Sequence, residues 1–357
     1  MMNIGILTSG GDCPGLNAAI RSVAKASYEM FSDVTIYGIE DGYGGLIHGR
    51  YRKMHPFDFS GILTLGGTIL GTSRQPFKQM REIGDDGIDK VKAMIENYEK
   101  MQLDCLITIG GNGTHKSANM LSDEGLNVIG LPKTIDNDLW GTDVTFGFHT
   151  AVDIATDVLD RIHTTADSHG RVMVVELMGH KAGWLNLYAG VAGGADIILI
   201  PEIPFEHKKI IKAVENRTSE GKKFSIVAIA EGALSKKEAL MNSDELLEYR
   251  ANAGYFSVPH RVADKIQVIT GLETRVVSPG HIVRGGSPSA YDRILSTRFG
   301  VHAAELIKDK KYGRTVALEN NQITSNKLSE IAGKLKLVPD NCEMVLDAKN
   351  LGISFGD

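Results

Sequence analysis

Ile4-Gly5-Ile6-Leu7-Thr8-Ser9-Gly10-Gly11-Asp12-Cys13-Pro14-Gly15-Leu16-Asn17 sets an apolar run, a glycine-rich loop and the start of a helical pattern in direct succession. Residues 4–7 read as a buried strand, and Leu16, Ala19, Ile20, Val23 and Ser27 recur at helical spacing beyond the loop. A strand that passes through a glycine loop into a helix opens a doubly wound α/β sheet, where ligands bind at the ends of strands. Exposed backbone N–H groups and the partial positive charge of a helix N-terminus together favour a phosphate. A tight strand-to-helix turn would give the same pattern.

The alternation continues outward. Val34–Ile39 is a second strand. Ile88, Val91, Ile95 and Tyr98 mark an amphipathic helix that leads into a strand at 103–109, and 127–131 follows as another. Val152, Ala155, Leu159 and Ile162 line a helix, and strands recur at Val172–Leu177, 197–200 and 224–230. Continuous apolar strands separated by helices argue for parallel sheets covered on both faces. Two such sheets suit 357 residues at roughly 150 per domain. The polar stretch 235–253 reads as an exposed helix or insertion. No Pro/Gly/Ser linker separates the halves, so the chain is expected to cross between domains more than once.

Composition narrows the function classes. With 42% apolar and 23% charged residues the chain is globular rather than disordered. Its net charge of -5 gives no overall pull toward nucleic acid or anionic lipid. Cys13, Cys105 and Cys342 are too few and scattered for a disulfide framework or a four-ligand zinc site, and fit a reducing cytosol. No signal peptide is expected, and the apolar stretch 185–200 is broken by Asn186 and Asp196, so no membrane span is expected either.

Two further loops carry chemistry. Gly110-Gly111-Asn112-Gly113-Thr114 directly follows the strand that ends at Ile109. It is neither a Walker loop, since His115 precedes Lys116, nor a dinucleotide fingerprint, yet three glycines and a hydroxyl can cradle a phosphate. Pro132-Lys133-Thr134-Ile135-Asp136-Asn137-Asp138 follows the next strand. Its two carboxylates at i and i+2 suit phosphoryl transfer, which needs an acceptor for the nucleophile's proton and oxygen ligands for Mg²⁺. Glu231 stands at another strand end, and Arg74, Arg171, Arg275 and Arg284 are guanidiniums available to phosphate.

These pieces in this order, with Glu176-Leu177-Met178-Gly179 and Gly280-His281-Ile282-Val283-Arg284-Gly285-Gly286-Ser287-Pro288, resemble the 6-phosphofructokinase family from near the first residue to about Arg293. The resemblance implies a kinase that phosphorylates the C1 hydroxyl of fructose 6-phosphate in glycolysis. It makes Asp136 the general base and gives Asp138, with Asn112, to Mg²⁺. It gives Gly11, Arg74, Gly113 and Thr114 to the phosphoryl donor. Thr134, Asp136, Met178, Gly179, Glu231, His281 and Arg284 become sugar-phosphate contacts. Arg171 and Arg275 resemble family arginines that reach the sugar phosphate from a neighbouring subunit, which implies a cytoplasmic homo-oligomer, dimer or tetramer, with shared sites.

The resemblance bears on the donor in two ways. Gly113 leaves room for a nucleotide where pyrophosphate users carry Asp, whereas Lys133 is the residue that pyrophosphate users favour. Steric and charge exclusion outweighs one extra cation, so ATP is expected; a reversible pyrophosphate-dependent enzyme is the alternative, and a non-catalytic sugar-phosphate sensor or an NAD or lipid kinase fits less of the chain. Asn112 stands in place of a frequent metal-site Asp and His180 in place of a frequent arginine. Arg21 and Lys222 match the family's effector pocket, but Lys25 and His163 replace arginines there, which leaves allosteric control open.

The implied fold is α/β, with two doubly wound parallel-sheet domains and the active site in the cleft between them. Residues 1–146 plus 282–331 would bind the phosphoryl donor, and 147–281 plus 332–357 the sugar phosphate.

Overall fold

Burial without alternation marks the central strands: every residue of Cys105–Gly110, Val128–Pro132 and Ser225–Ala230 is buried, as strands covered on both faces require. The computed structural model describes residues 1–84, 87–252, 254 and 257–357. Among them the strands are, in chain order, β1 (Met2–Thr8), β2 (Val34–Ile39), β3 (Tyr51–Met54), β4 (Cys105–Gly110), β5 (Val128–Pro132) and β6 (Val172–Leu177). Then come β7 (Ile197–Leu199), β8 (Ser225–Ala230), β9 (Thr274–Val277), β10 (Arg314–Glu319) and β11 (Gln322–Lys327). The chain divides into two compact units, Met1–Thr150 with Arg284–Lys336 and Ala151–Val283 with Leu337–Asp357.

The first unit holds a seven-stranded sheet in the order β11-β10-β5-β4-β1-β2-β3. From β10 to β2 the strands are parallel, and β3 and β11 close the two edges antiparallel. The chain leaves β1 toward β2 on one side and returns to β4 on the other, so β1 and β4 flank a topological switch point, the place where such sheets bind ligands. Register brings three loops to that place, because Thr8 lies beside Ile109 and Gly110 beside Pro132. Ser9 N–H donates to the Ile109 carbonyl (2.9 Å) and Lys133 N–H to the Gly110 carbonyl (3.0 Å), so the ladder runs on into the loops.

Helices Leu16–Met30 and Ala290–Lys308 pack tightly on this sheet. Gly300 permits the approach: a Cβ there would stand 2.6 Å from the Ser22 Cβ and 2.8 Å from the Val23 nitrogen. A core that includes Leu7, Ile39, Met94, Leu106, Leu121 and Val128 fixes the strands. Each such side chain contributes about 1.5–3 kcal/mol over exposure, which keeps the strand ends, and hence the loops, in place.

The second unit carries the parallel sheet β7-β8-β6-β9 over its own core of Val174, Leu199, Phe205, Val227, Ile229 and Val262, among others. Leu177 pairs with Ala230, which sets Met178-Gly179 beside Glu231.

Several details differ from the sequence reading, among them one-residue shifts at the ends of β5, β7 and β8. The helix expected from Ile88 begins at Lys90, because the Asp89 side chain caps it by accepting from Lys92 N–H at 3.0 Å. The strand expected from Leu103 begins at Cys105, because Leu103 N–H still closes the preceding turn on the Tyr98 carbonyl. Within 235–253, helix Ser243–Asn252 has no buried residue, as expected, but Glu238 is wholly buried. Arg250 and Arg261 pair with its carboxylate, and the Ser235 hydroxyl donates to it at 2.6 Å. Ala253 lies outside the described residues. No helix among the described residues is long and apolar enough to cross a membrane.

Candidate active site

The first loop turns through Gly10 (φ 84°) and Gly15 (φ 106°), left-handed conformations that glycine adopts without strain. Gly10 N–H donates to the Ser73 carbonyl (3.1 Å) and the Thr72 hydroxyl to the Gly10 carbonyl (2.7 Å), which brings the segment ending in exposed Arg74 alongside. Two cations flank the loop. The Lys133 ammonium donates to the Gly11 carbonyl, and Arg284 Nη1 to the Asp12 carbonyl at 3.1 Å. A Cβ at Gly11 would stand 2.7 Å from that same Nη1, so Arg284 occupies the space a side chain there would need.

Burial pushes the pKa of Lys133 down, while Cys13, Asp136 and Asp12 pull it up and Arg284 lowers it further. Burial also pushes the Cys13 thiol up to about 12, so it is an inert core group rather than a nucleophile.

The second loop leads into helix Asn112–Asp123. Among the described residues, and beyond its chain neighbours and its own helix's backbone, nothing lies within 4 Å of where a Cβ would stand on Gly113, so the loop is open there. Thr114 is nearly buried, with its hydroxyl donating to the Ser9 carbonyl (3.4 Å) and its carbonyl accepting from the Tyr43 hydroxyl (2.9 Å). Asn112 is hydrogen-bonded to a later turn of the chain. Its Oδ1 accepts from Gly333 N–H (2.8 Å) and its Nδ2 donates to the Lys334 carbonyl (3.3 Å), so the carboxamide anchors a distant turn of the same unit. His115 is held neutral, its pKa lowered to about 4 by burial, with Nε2 2.8 Å from the Thr315 hydroxyl.

The third loop is braced from within. Asp136 N–H donates to the Thr134 hydroxyl (3.0 Å), and the Thr145 hydroxyl to the Thr134 carbonyl (2.7 Å). Asn137 sits left-handed at φ 51° between the two carboxylates, and its Oδ1 accepts from Thr145 N–H (3.1 Å) and the Lys336 ammonium (2.9 Å). Lys336 also donates its backbone N–H to the Asp138 carbonyl (2.8 Å), and burial lowers its pKa to about 8 against the pull of Asp143 and Asp138. Asp136 is half-buried and Asp138 7% exposed.

The structure therefore brings Gly11, Gly113, Thr114, Thr134, Asp136, Asp138 and Lys133 to one end of one sheet. Arg284, grouped by resemblance with the sugar-phosphate contacts, packs on the first of these loops.

In the second unit Glu231 accepts from His180 N–H (2.7 Å) and Gly179 N–H (3.3 Å), which fixes the Met178-Gly179 turn against the end of β8. His281 is exposed in the turn Gly280–Arg284. Arg171 and Arg275 both reach the carboxylate of Glu273. Of the effector candidates, Arg21 and Lys25 share helix Leu16–Met30, while His163 in the second unit contacts the Gly193 carbonyl at 2.7 Å. Lys336, Tyr43 and Glu273 went unnoticed in the sequence. Only Glu273 leaves a local signal there, an acidic residue two places before Arg275 and just ahead of β9.

Glycine cradles and a carboxylate pair at the switch point of a doubly wound sheet define an α/β protein built around a phosphate-bearing ligand. Residues 3–307 match the sequence model of the family described as Phosphofructokinase, and the chain belongs to that family. It is 57% identical over 356 residues to the ATP-dependent 6-phosphofructokinase of Spirochaeta thermophila, covering 99% of this chain and 97% of that protein. It is 47% identical to the ATP-dependent 6-phosphofructokinase 3 of Bacteroides thetaiotaomicron, covering 99% and 100%.

Among solved structures, phosphofructokinase from Saccharomyces cerevisiae superposes with a TM-score of 0.79 at 30% identity. All of this chain is covered there, and it spans about half (48%) of the yeast chain's length. The pyrophosphate-dependent phosphofructokinase of Nitrosospira multiformis, at 20% identity over 99% of this chain and 92% of that one, shares the fold with a TM-score of 0.81.

Proposed function

We propose that this chain transfers the γ-phosphoryl group of ATP to the C1 hydroxyl of fructose 6-phosphate. The names of its curated relatives support that reading. The single structural observation that carries the choice of donor is the open space at Gly113, which an Asp would fill with bulk and negative charge. Lys133 weighs less than Gly113, because its ammonium already donates to the Gly11 carbonyl and one extra cation suits either donor.

The first unit binds the donor, with Gly11, Gly113 and Thr114 lining its phosphates and Arg74 neutralising the group in transfer. Thr134, Met178, Gly179, Glu231, His281 and Arg284 contact the sugar phosphate. Arg171 and Arg275 serve the site of a neighbouring copy in a cytoplasmic homo-oligomer.

Asp136 accepts the C1 hydroxyl proton as that oxygen attacks the γ-phosphorus; the bond from phosphorus to the bridging oxygen breaks, and ADP leaves. The Thr134 hydroxyl and left-handed Asn137 hold the carboxylate's backbone in place. The Asp138 carboxylate suits Mg²⁺, a hard cation bound by one or two carboxylates together with substrate phosphates rather than by an all-protein cage. Asp138 would hold the ion, which when bound supplies charge neutralisation on the donor phosphates.

Parallel coupled assays with fructose 6-phosphate and Mg²⁺, offered ATP or pyrophosphate, test the proposal. Turnover with ATP is expected. Turnover with pyrophosphate alone, or with neither, overturns it.

A further inference from the structure

Parallel pairing of β6 with β9 sets Val172 beside Thr274 and Met173 beside Arg275, with Val172 N–H donating to the Glu273 carbonyl at 3.0 Å. One residue earlier, Arg171 faces Glu273. Glu273 directly precedes β9, and Arg275, its second residue, reaches back to the Glu273 carboxylate. Three charges therefore meet at one end of this sheet. Arg171 Nε lies 2.9 Å from Glu273 Oε2, and Arg275 Nη2 contacts Glu273 Oε1, so each carboxylate oxygen serves a different guanidinium. The two arginines hold the Glu273 carboxyl below the usual carboxylate range, Arg171 foremost. The backbone carbonyl of Glu273 accepts from Val172 N–H independently of its side chain. The side chains are 28%, 41% and 54% exposed for Arg171, Glu273 and Arg275, so an arriving anion can reach them.

Two guanidiniums side by side repel unless an anion lies between them, and the group they suit best is a phosphate gripped by two forks. In this chain a carboxylate occupies the same donors. We infer that Glu273 is a built-in stand-in for the substrate's phosphate: it keeps the two arginines together and must yield them when the sugar phosphate binds. It is thus a positioning residue that sets sugar-phosphate affinity. Exposed ion pairs are weak, so a phosphate with more charge and a third oxygen displaces the carboxylate while paying for the exchange. The inference rests on the assignment of Arg171 and Arg275 to the sugar phosphate.

Steady-state kinetics of Glu273→Gln in the full chain test it. The KM for fructose 6-phosphate is expected to fall roughly three- to tenfold, the range an exposed pair commands. The inhibition constant of inorganic phosphate, competing with the sugar phosphate, should fall by a like factor, and the KM for ATP should not move. Glu273→Ala provides a second variant should the glutamine pair with the arginines itself. A KM that is unchanged or raised in both variants overturns the inference, and marks Glu273 as a surface ion-pair partner only. Arg171→Ala and Arg275→Ala test the reading beneath it. If neither raises the KM for fructose 6-phosphate, the assignment of the arginines fails. If they raise it and Glu273→Gln does not lower it, the assignment stands and the inference alone is lost.

Discussion

The ammonium of Lys133, at the end of β5, donates to the carbonyl of Gly11, two strands away in the loop after β1. With Lys133 N–H on the Gly110 carbonyl (3.0 Å), this one residue joins all three loops of the candidate active site. Its side chain is 3% exposed, and burial depresses its pKa, so the ammonium is kept charged by the contacts around it rather than by water.

Replacing Lys133 with Met keeps the stem and removes the donor. The Gly11 carbonyl then loses a charged partner, a loss of about 1.5–3 kcal/mol for a hydrogen bond to an ionised group. Thermal denaturation should show a lowered Tm, and the KM for the donor should rise because the first loop loses its tether. An unchanged donor KM would mean that the loop holds its shape without Lys133.

Gly113→Asp separates the two donors. The position lies in the first turn of helix Asn112–Asp123 with open space around it, so the variant should fold with a Tm near that of the parent chain. A carboxylate beside the donor phosphates opposes ATP by bulk and by charge. We expect kcat/KM with ATP to fall roughly a hundredfold, a loss of about 3 kcal/mol. Full ATP turnover by this variant would remove the reason for preferring a nucleotide.

His115 gives a pH dependence with a definite sign. Burial lowers its folded pKa from 6.5 to about 4, so the folded chain holds it neutral where the unfolded chain protonates it. Between those values the unfolded state binds more protons, and stability is lost as pH falls through 6.5 toward 4. At pH 5 the penalty is roughly 2 kcal/mol, from about 1.4 kcal/mol for each pH unit below 6.5. Denaturation midpoints at pH 7 and pH 5 should converge in His115→Gln compared with the parent chain. Equal acid sensitivity in both would assign the effect to other groups.

How far the molecule could be read from its sequence follows from where the signals lie. Val34–Ile39 and Val172–Leu177 are legible because a largely buried strand is written as a mostly apolar run, broken only by Thr35 and Gly38 in the first and Glu176 in the second. The edge strands are not. Tyr51-Arg52-Lys53-Met54 is polar in its middle, and Gln322–Lys327 has no buried residue, since one side of each meets water. The hairpin between β10 and β11 turns at Asn320 and Asn321, both left-handed at φ 51° and 64°. That turn chemistry is present in the sequence, but only β10 beside it carries an apolar run, while β11 is mostly polar.

Glycines and paired carboxylates likewise announce the three loops, whereas their partners come from far along the chain. Lys336 reaches Asn137 from 199 residues away, and Gly333 reaches Asn112 from 221. No local pattern encodes such contacts. They exist because the sheet register brings the C-terminal segment of the first unit back to the loops.

Asp136→Asn carries the chemistry to its sharpest test. The amide keeps the shape of the carboxylate and leaves the backbone bond to the Thr134 hydroxyl (3.0 Å) untouched, so the loop braced by Asn137 and Lys336 should stand. An amide accepts no proton from the C1 hydroxyl. A general base contributes about 10²- to 10⁴-fold, so kcat should drop by that factor while the KM for ATP changes little. The two effects distinguish proton transfer from loop damage: a collapsed loop would raise both KM values and lower the Tm, whereas a missing base lowers kcat alone. Near-normal kcat in a well-folded Asp136→Asn variant would take the proton away from this residue. The base would then have to be sought elsewhere on the same loop, with Asp138, two residues on, as the first carboxylate to replace.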